Sequence, residues 1–134
     1  MTPLFDLILP WPPSTLSPNS RQHWAQLAKA KKAYRGHCWV QAISQGAHKL
    51  DADRLEIGLE FVPPTRRRFD LDNLLARMKS GLDGLVDAIG VDDSRWQIRI
   101  QRSDVPVPPG FVLVTVGLPP ITTNQRARTE GSNH

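Results

Sequence analysis

Acidic residues are concentrated in the middle of the chain, next to a run of arginines. Residues 66–93 read RRRFDLDNLLARMKSGLDGLVDAIGVDD, with Asp70 and Asp72 near the start and Asp92 and Asp93 at the end. Carboxylates this close in sequence repel one another when they also meet in space, unless a cation offsets their charge. No histidine or cysteine lies among them, so the composition favours Mg²⁺ or Mn²⁺ over zinc.

The spacing of the first two acids indicates a shared function. In extended backbone, residues two apart point to the same side, so the carboxylates of Asp70 and Asp72 are expected to converge. Asp72 alone is explained more simply as a helix N-cap, which needs one carboxylate, whereas a hard cation takes several oxygen ligands. Asp92 and Asp93 are further candidate metal ligands, provided that the chain turns back towards Asp72 after the helix.

A helix over residues 72–89 is predicted to position this chemistry. At about 100° per residue, Asp72, Lys79 and Asp83 fall on one line beside an apolar face. A lysine on that line is placed to offset negative charge developing on a phosphate. The alternative for Lys79 and Asp83 is an exposed ion pair at spacing i, i+4. The predicted core face comprises Leu74, Leu75, Met78, Leu82, Leu85, Val86 and Ile89.

The charge balance indicates a polyanionic partner. The 134 residues include 17 Lys and Arg against 13 Asp and Glu, a formal net charge of +4, which indicates a nucleic acid or another polyanion as the partner. The basic residues between 21 and 35 are explained equally well as a solvated surface. Asn73 is a candidate phosphate donor or metal ligand, and helix capping explains it equally well. The candidate DNA-binding residues are Arg66, Arg67, Arg68, Asn73, Arg21 and Lys31.

The remaining pattern predicts an α+β domain with a small mixed sheet and two main helices. Strands are predicted over residues 4–9, 55–61, 96–101 and 111–118, the last buried on both faces. A first helix is predicted over residues 20–45, capped by Asn19 or Ser20, with Trp24, Leu27, Tyr34, Cys38 and Ala42 as possible inward positions. The domain is expected to span residues 1–118, followed by a flexible polar tail over 119–134.

Several classes of protein are excluded or disfavoured by composition. A single cysteine, Cys38, excludes an internal disulfide and a cysteine-rich zinc site. The apolar runs are too short to span a membrane. The first residues, MTPLFDLILPWPP, lack the basic start and cleavage site of a secretory signal, so a cytoplasmic location is expected.

Three segments together resemble the RusA family of Holliday junction resolvases, which is common in phages and prophages. They are the amino-terminal LPWPPSTLSPNSRQHW, the central RRRFDLDN and the later GVDDS. The resemblance covers the chain to about residue 118. It implies a RusA-like fold and a homodimer that resolves four-way DNA junctions by paired symmetric nicks, using Mg²⁺, with Mn²⁺ as a possible substitute.

The resemblance also implies site residues. Asp70, Asp72 and one of Asp92 and Asp93 match the essential acids of the family, and we favour Asp93. The family lysine corresponds to Ala76 here. Lys79 stands about one helical turn later, so it is the expected catalytic lysine.

Two other functions remain open at the level of sequence. The alanine at position 76 is compatible with a non-catalytic module that binds junctions or other DNA. The Asp-x-Asp pattern also occurs in phosphohydrolases that act on nucleotides.

Overall fold

The computed structural model describes residues 1–21 and 23–120. Over these residues the chain forms six main elements and two short 3₁₀ turns, Ser14–Leu16 and Asp93–Arg95. The main elements are β1 (Thr2–Pro10), α1 (Trp24–Ser44), β2 (Leu55–Val62), α2 (Leu71–Ile89), β3 (Trp96–Arg102) and β4 (Phe111–Leu118). The predicted α+β class is confirmed.

The strands form one mixed sheet in the order β1-β4-β2-β3. β2 and β3 are parallel, whereas β4 is antiparallel to both β1 and β2. Parallel neighbours need a crossover connection, which α2 provides. As a result, the carboxyl ends of β2 and β3 lie side by side, with Phe61 paired to Arg102.

Both helices belong to the same hydrophobic core as the sheet. The two glycines of α2, Gly81 and Gly84, allow α1 to approach closely. A Cβ at Gly84 would lie 2.3 Å from the backbone oxygen of Arg35, and one at Gly81 would lie 2.5 Å from the Tyr34 ring. α2 is consequently buried over a wider arc than its apolar stripe predicts.

The end of α2 agrees with the sequence-based expectation. Gly90 follows the last helical residue with φ of 76°, a left-handed conformation that glycine adopts without steric cost. Its N–H donates to the Val86 carbonyl, which closes the helix.

Three expectations about local structure are wrong. α1 begins at Trp24 with His23 as its N-cap, because the imidazole accepts from the Ala25 N–H. Trp24 is therefore in the first turn, where it is 75% exposed rather than inward-facing. β4 is not buried on both faces: Leu113 is exposed, because no helix in the described part of the chain covers the second face of the sheet at that point.

The predicted division at residue 118 coincides with the last residue of β4. Residues 121–134, which make up most of the predicted tail, lie outside the described residues. In the described part of the chain, neither helix is long and apolar enough to cross a membrane.

Candidate functional site

The helix N-terminus is organised by Asp70, not by Asp72. Asp70 has extended backbone (φ −81°, ψ 127°), and its carboxylate accepts the Asp72 N–H at 3.0 Å. The prediction that Asp72 is the N-cap is therefore wrong, because the N-cap is Asp70, two residues earlier. Asp72 lies in the first turn with an exposed side chain. Both carboxylates are stabilised there by the positive end of the helix dipole.

The line of polar residues predicted along α2 faces a groove. Asp72, Lys79 and Asp83 line a cavity of about 650 Å³ between α2, α1 and the first 3₁₀ turn. Lys31 of α1 lines the same groove, so this candidate DNA-binding residue lies beside the acids. The apolar part of the lining comes from Leu16, Leu27, Leu75 and Ala76.

The chain does turn back after α2, and it brings Asp93 to Lys79. The Lys79 ammonium lies 2.5 Å from Oδ2 of Asp93 and 3.3 Å from Oδ1 of Asp83. The hydrogen bond to Asp93 is the main cause that raises the pKa of Lys79. Lys79 is therefore a fixed positive charge shared between two carboxylates at neutral pH.

Asp92 has a different environment from Asp93. Its carboxylate accepts from the Ser94 N–H at 3.1 Å and from the Ser94 hydroxyl at 2.5 Å, which lowers the pKa of Asp92. It caps the second 3₁₀ turn. Of the two neighbouring acids, Asp93 is thus the one that bonds to α2.

The donor chemistry of these acids suits a hard divalent cation. Asp70 and Asp72 carry carboxylate oxygens two residues apart at the start of α2, and Asp93 supplies oxygen from the following turn. Within residues 1–21 and 23–120, no three Asp, Glu, His or Cys side chains converge closely enough to enclose a metal ion. The residues fit Mg²⁺ by the type of their donor atoms, but Asp70 is engaged in capping and Asp93 in its pair with Lys79, so these three acids do not enclose one metal position in this arrangement.

Two polar side chains of α2 hold the amino-terminal turn in place. The Ser17 hydroxyl donates to Oδ1 of Asn73 at 3.2 Å, which gives Asn73 a contact within the protein. Arg77, only 8% exposed, donates to the Pro12 and Pro13 carbonyls at 2.6 and 3.3 Å. Burial lowers the pKa of Arg77.

The role of Arg77 is missed by sequence reasoning, although the sequence contains a signal for it. Prolines have no N–H to form a backbone ladder, so the carbonyls of a proline-rich turn such as LPWPP need other donors. Arg77 meets that need and also lies over the Trp11 ring, 5.9 Å from its centroid.

The arginine run lies in the connection between β2 and α2, where it lines a second cavity. Arg66, Arg67 and Arg68 share this cavity of about 410 Å³ with Arg102. Arg102, which sequence reasoning also missed, donates to the carbonyl of Phe69, the residue before Asp70. Arg21, the remaining basic candidate, is exposed in the segment before α1 and lines neither cavity.

Comparison with known proteins gives a relative but no established activity. No family model matches the chain. The chain is 42% identical over 113 residues to an uncharacterized protein of Xylella fastidiosa strain Temecula1. The matched region covers 82% of this chain and 74% of that protein.

Proposed function

We propose that this chain, which belongs to the same family as the uncharacterized Xylella fastidiosa protein, is a Mg²⁺-dependent endonuclease of the RusA type. Its proposed substrate is a four-way DNA junction, which it cuts by paired symmetric nicks. The observation that carries the proposal is the groove along α2, which Asp72, Lys79 and Asp83 line and at which Lys79 pairs with the returning Asp93.

The acids of this site are suited to hold the metal. Asp70, Asp72 and Asp93 are the proposed ligands, and Asp92 supports the turn that presents Asp93. When bound, Mg²⁺ polarises a phosphoryl oxygen and stabilises charge on the oxygens of a phosphodiester. Mn²⁺, which shares the preference for oxygen ligands, is expected to substitute.

Lys79 is the proposed catalytic cation. It is protonated at neutral pH, and its hydrogen bond to Asp93 raises its pKa further above the ordinary value. Its side chain is 61% exposed, so a substrate phosphate can reach the ammonium from solvent. A cation positioned in advance stabilises the additional negative charge of the transition state more than that of the ground state.

A homodimer is part of the proposal for a reason of symmetry. Two matched cuts across a junction of nearly two-fold symmetry require two active sites related by the same axis. A chain of 134 residues with a single candidate groove along α2 meets that requirement by pairing with a second copy.

The decisive experiment measures cutting of a synthetic four-way junction with Mg²⁺ by the wild-type protein and by Asp72→Asn. We expect symmetric nicks from the wild type and at least about a 100-fold loss of rate in the variant, because a metal ligand is replaced. Binding of the junction in EDTA should be unchanged or tighter, since one repulsive charge is removed. Asp53→Asn, which removes an equally exposed acid before β2, is the control and should cut normally.

Three results would contradict the proposal, each in favour of a different conclusion. Normal cutting by Asp72→Asn would exclude this groove as the active site. Tight junction binding without cutting under any divalent metal would favour a DNA-binding module. Turnover of nucleoside phosphates without DNA cleavage would favour a nucleotide phosphohydrolase.

A further inference from the structure

We infer that the cavity lined by Arg66, Arg67, Arg68 and Arg102, the arginine pocket, binds a backbone phosphodiester of nucleic acid next to the one that is cut. The inference rests on the proposed function for the identity of the ligand. It adds Arg102 to the binding residues and assigns the arginine run to a site separate from the groove along α2.

The parallel pairing of β2 and β3 builds the arginine pocket. Residues 63–68 follow the carboxyl end of β2, whereas Arg102 is the last residue of β3 and residues 103–104 follow it. The two connections are fastened to each other by backbone hydrogen bonds, from Ser103 to the Phe61 carbonyl at 2.9 Å and from Val107 to the Pro63 carbonyl at 2.9 Å. Positive side chains from two distant parts of the sequence are thereby held around one space.

The charge of the arginine pocket is not neutralised within the described part of the chain. Asp104 lines the cavity, yet among residues 1–21 and 23–120 no carboxylate oxygen lies within 4.0 Å of any of the four guanidinium groups. In contrast, Arg35 and Arg99 elsewhere in the molecule form ion pairs with Asp87 and Glu56. Four like charges around one cavity repel each other, and an anion in the cavity relieves that repulsion.

Aromatic and backbone contacts fix the orientation of this loop. The Arg67 guanidinium lies 5.8 Å from the centroid of the Phe69 ring. Phe69 packs edge-on against Trp11 at 5.3 Å between centroids, and its carbonyl accepts from Arg102. The arginine pocket is therefore coupled through Phe69 and Trp11 to the turn that Arg77 anchors.

The arginine pocket lies close to the candidate metal ligands because its arginine run immediately precedes them in sequence. Arg68 and Asp70 are two residues apart, so their Cα atoms are separated by at most about 7 Å. Guanidinium groups bind phosphate oxygens through paired hydrogen bonds. A strand whose reacting phosphate lies at the start of α2 can thus place a neighbouring phosphate among the arginines.

Ser103 shapes this pocket without serving as the main ligand. Its hydroxyl donates to the Val105 carbonyl at 3.1 Å and accepts from the Val105 N–H at 3.3 Å. The hydroxyl thus closes the loop after β3 and is already bonded to Val105. This leaves the four arginines as the proposed phosphate ligands.

The test is a binding measurement in EDTA, so that no cleavage is required. Fluorescence anisotropy with a labelled four-way junction bearing 5′-hydroxyl ends would compare four proteins in an Asp72→Asn background. They are the parent, the double variant Arg66→Gln/Arg68→Gln, the single variant Arg102→Lys, and the control Arg54→Gln. Arg54 immediately precedes β2, and the eight residues of that strand put about 26 Å between it and the arginine pocket.

We expect the double variant to bind at least about tenfold more weakly at 0.1 M salt, with a slope of log affinity against log salt reduced by about 1 to 2. Arg102→Lys keeps the charge but loses the paired hydrogen bonds, so its affinity should fall less than that of the double variant and its salt slope should stay near the parent value. Arg54→Gln should match the parent. Circular dichroism would establish that each variant is folded.

Equal affinity and equal salt slope in the double variant and the parent would overturn the inference. So would full competition by a nucleoside monophosphate, since that result would identify a terminal phosphate rather than a diester as the ligand. A junction-binding protein that never cuts would refute the proposed endonuclease, yet the loss of affinity in the double variant would still support the arginine pocket.

Discussion

The groove along α2 and the arginine pocket are neighbouring charged regions with opposite internal balance. In the groove, Lys79 is paired with both Asp83 and Asp93, and at the start of α2 Asp70 caps the helix. In the arginine pocket, no carboxylate pairs with any of the four arginines in the described part of the chain. One region already holds its central cation between two carboxylates, whereas the other has an excess of positive charge that a ligand can neutralise.

From this difference we expect the groove to serve the cleavage reaction and the arginine pocket to serve binding of the nucleic acid. Paired charges keep fixed side-chain geometry, which a reaction needs because misplaced groups lose most of their effect. Unpaired surface arginines retain their full attraction for an anion and give salt-dependent affinity. Substitutions in the groove should therefore change the rate of cleavage, and substitutions in the arginine pocket should change binding.

The largest expected effect comes from removing the shared cation of the groove. Lys79→Ala should slow junction cleavage about 100-fold, because a preorganised positive charge is lost. Its junction affinity in EDTA should change less than about threefold, since one exposed charge contributes little to binding. Single-turnover cleavage and anisotropy measure the two quantities, with Lys29→Ala on the exposed side of α1 as the control. An equal loss of affinity and rate would break the proposed division between the two regions.

An intermediate effect is expected at Arg77, a buried arginine whose partners are carbonyls. Arg77→Met should lower the free energy of unfolding by about 2 kcal/mol, because the Pro12 and Pro13 carbonyls lose their donors. Urea unfolding measures this change. Arg54→Met, at an exposed position, should stay within about 0.5 kcal/mol of the wild type. A stable Arg77→Met protein would mean that the turn is held without the Arg77 hydrogen bonds, by the packing of Trp11 and the Ser17–Asn73 contact.

The smallest expected effect concerns the pair of Arg35 and Asp87, which joins α1 to α2 outside both regions. Its hydrogen bonds, at 2.7 and 2.9 Å, lower the pKa of Asp87. The pair therefore stabilises the protein fully above the unfolded pKa of about 3.9, and this stabilisation is lost as the pH falls through the lower folded pKa. Asp87→Asn should lower Tm at pH 7 by at most about 3 °C, since both side chains are exposed.

Thermal unfolding of Asp87→Asn and wild type at pH 7 and at pH 2 would check the sign. The difference in Tm should shrink as the pH falls through the lowered folded pKa of Asp87, because the wild-type carboxylate becomes protonated there. A difference that grew at low pH would contradict the assigned pKa direction. Asp53→Asn, whose acid forms no ion pair in the described residues, provides the matched control.

Properties that depend on local geometry were predictable from the sequence. The common line of Asp72, Lys79 and Asp83 follows from the angle between successive helical residues, and these side chains do line one groove. The stop at Gly90 follows from the backbone freedom of glycine. The α+β class follows from segments whose apolar residues repeat with the helical or the strand period.

The sequence-based predictions were wrong in two situations. In one, two nearby residues were equally suited to the same position; in the other, the burial of a side chain depended on packing against a different element. Asp70 and Asp72 are both good N-cap residues, and the extended backbone at residue 70 decides between them. Trp24 is apolar and follows the expected start of a helix, but it lies beyond the reach of the core. Such choices depend on contacts with neighbouring elements that periodicity does not encode.

The sequence by itself determined the chemical groups of this protein, their order on α2 and the local elements that carry them, because these depend on residue type and on near neighbours. Only the tertiary structure decided that Asp93 reaches Lys79, that Arg77 anchors the proline turn, and that Arg102 joins the arginine run. Each of these contacts links residues 14 or more positions apart. They arise from the return of the chain after α2, the packing of α2 against the proline turn, and the parallel pairing of β2 with β3, which no local pattern specifies.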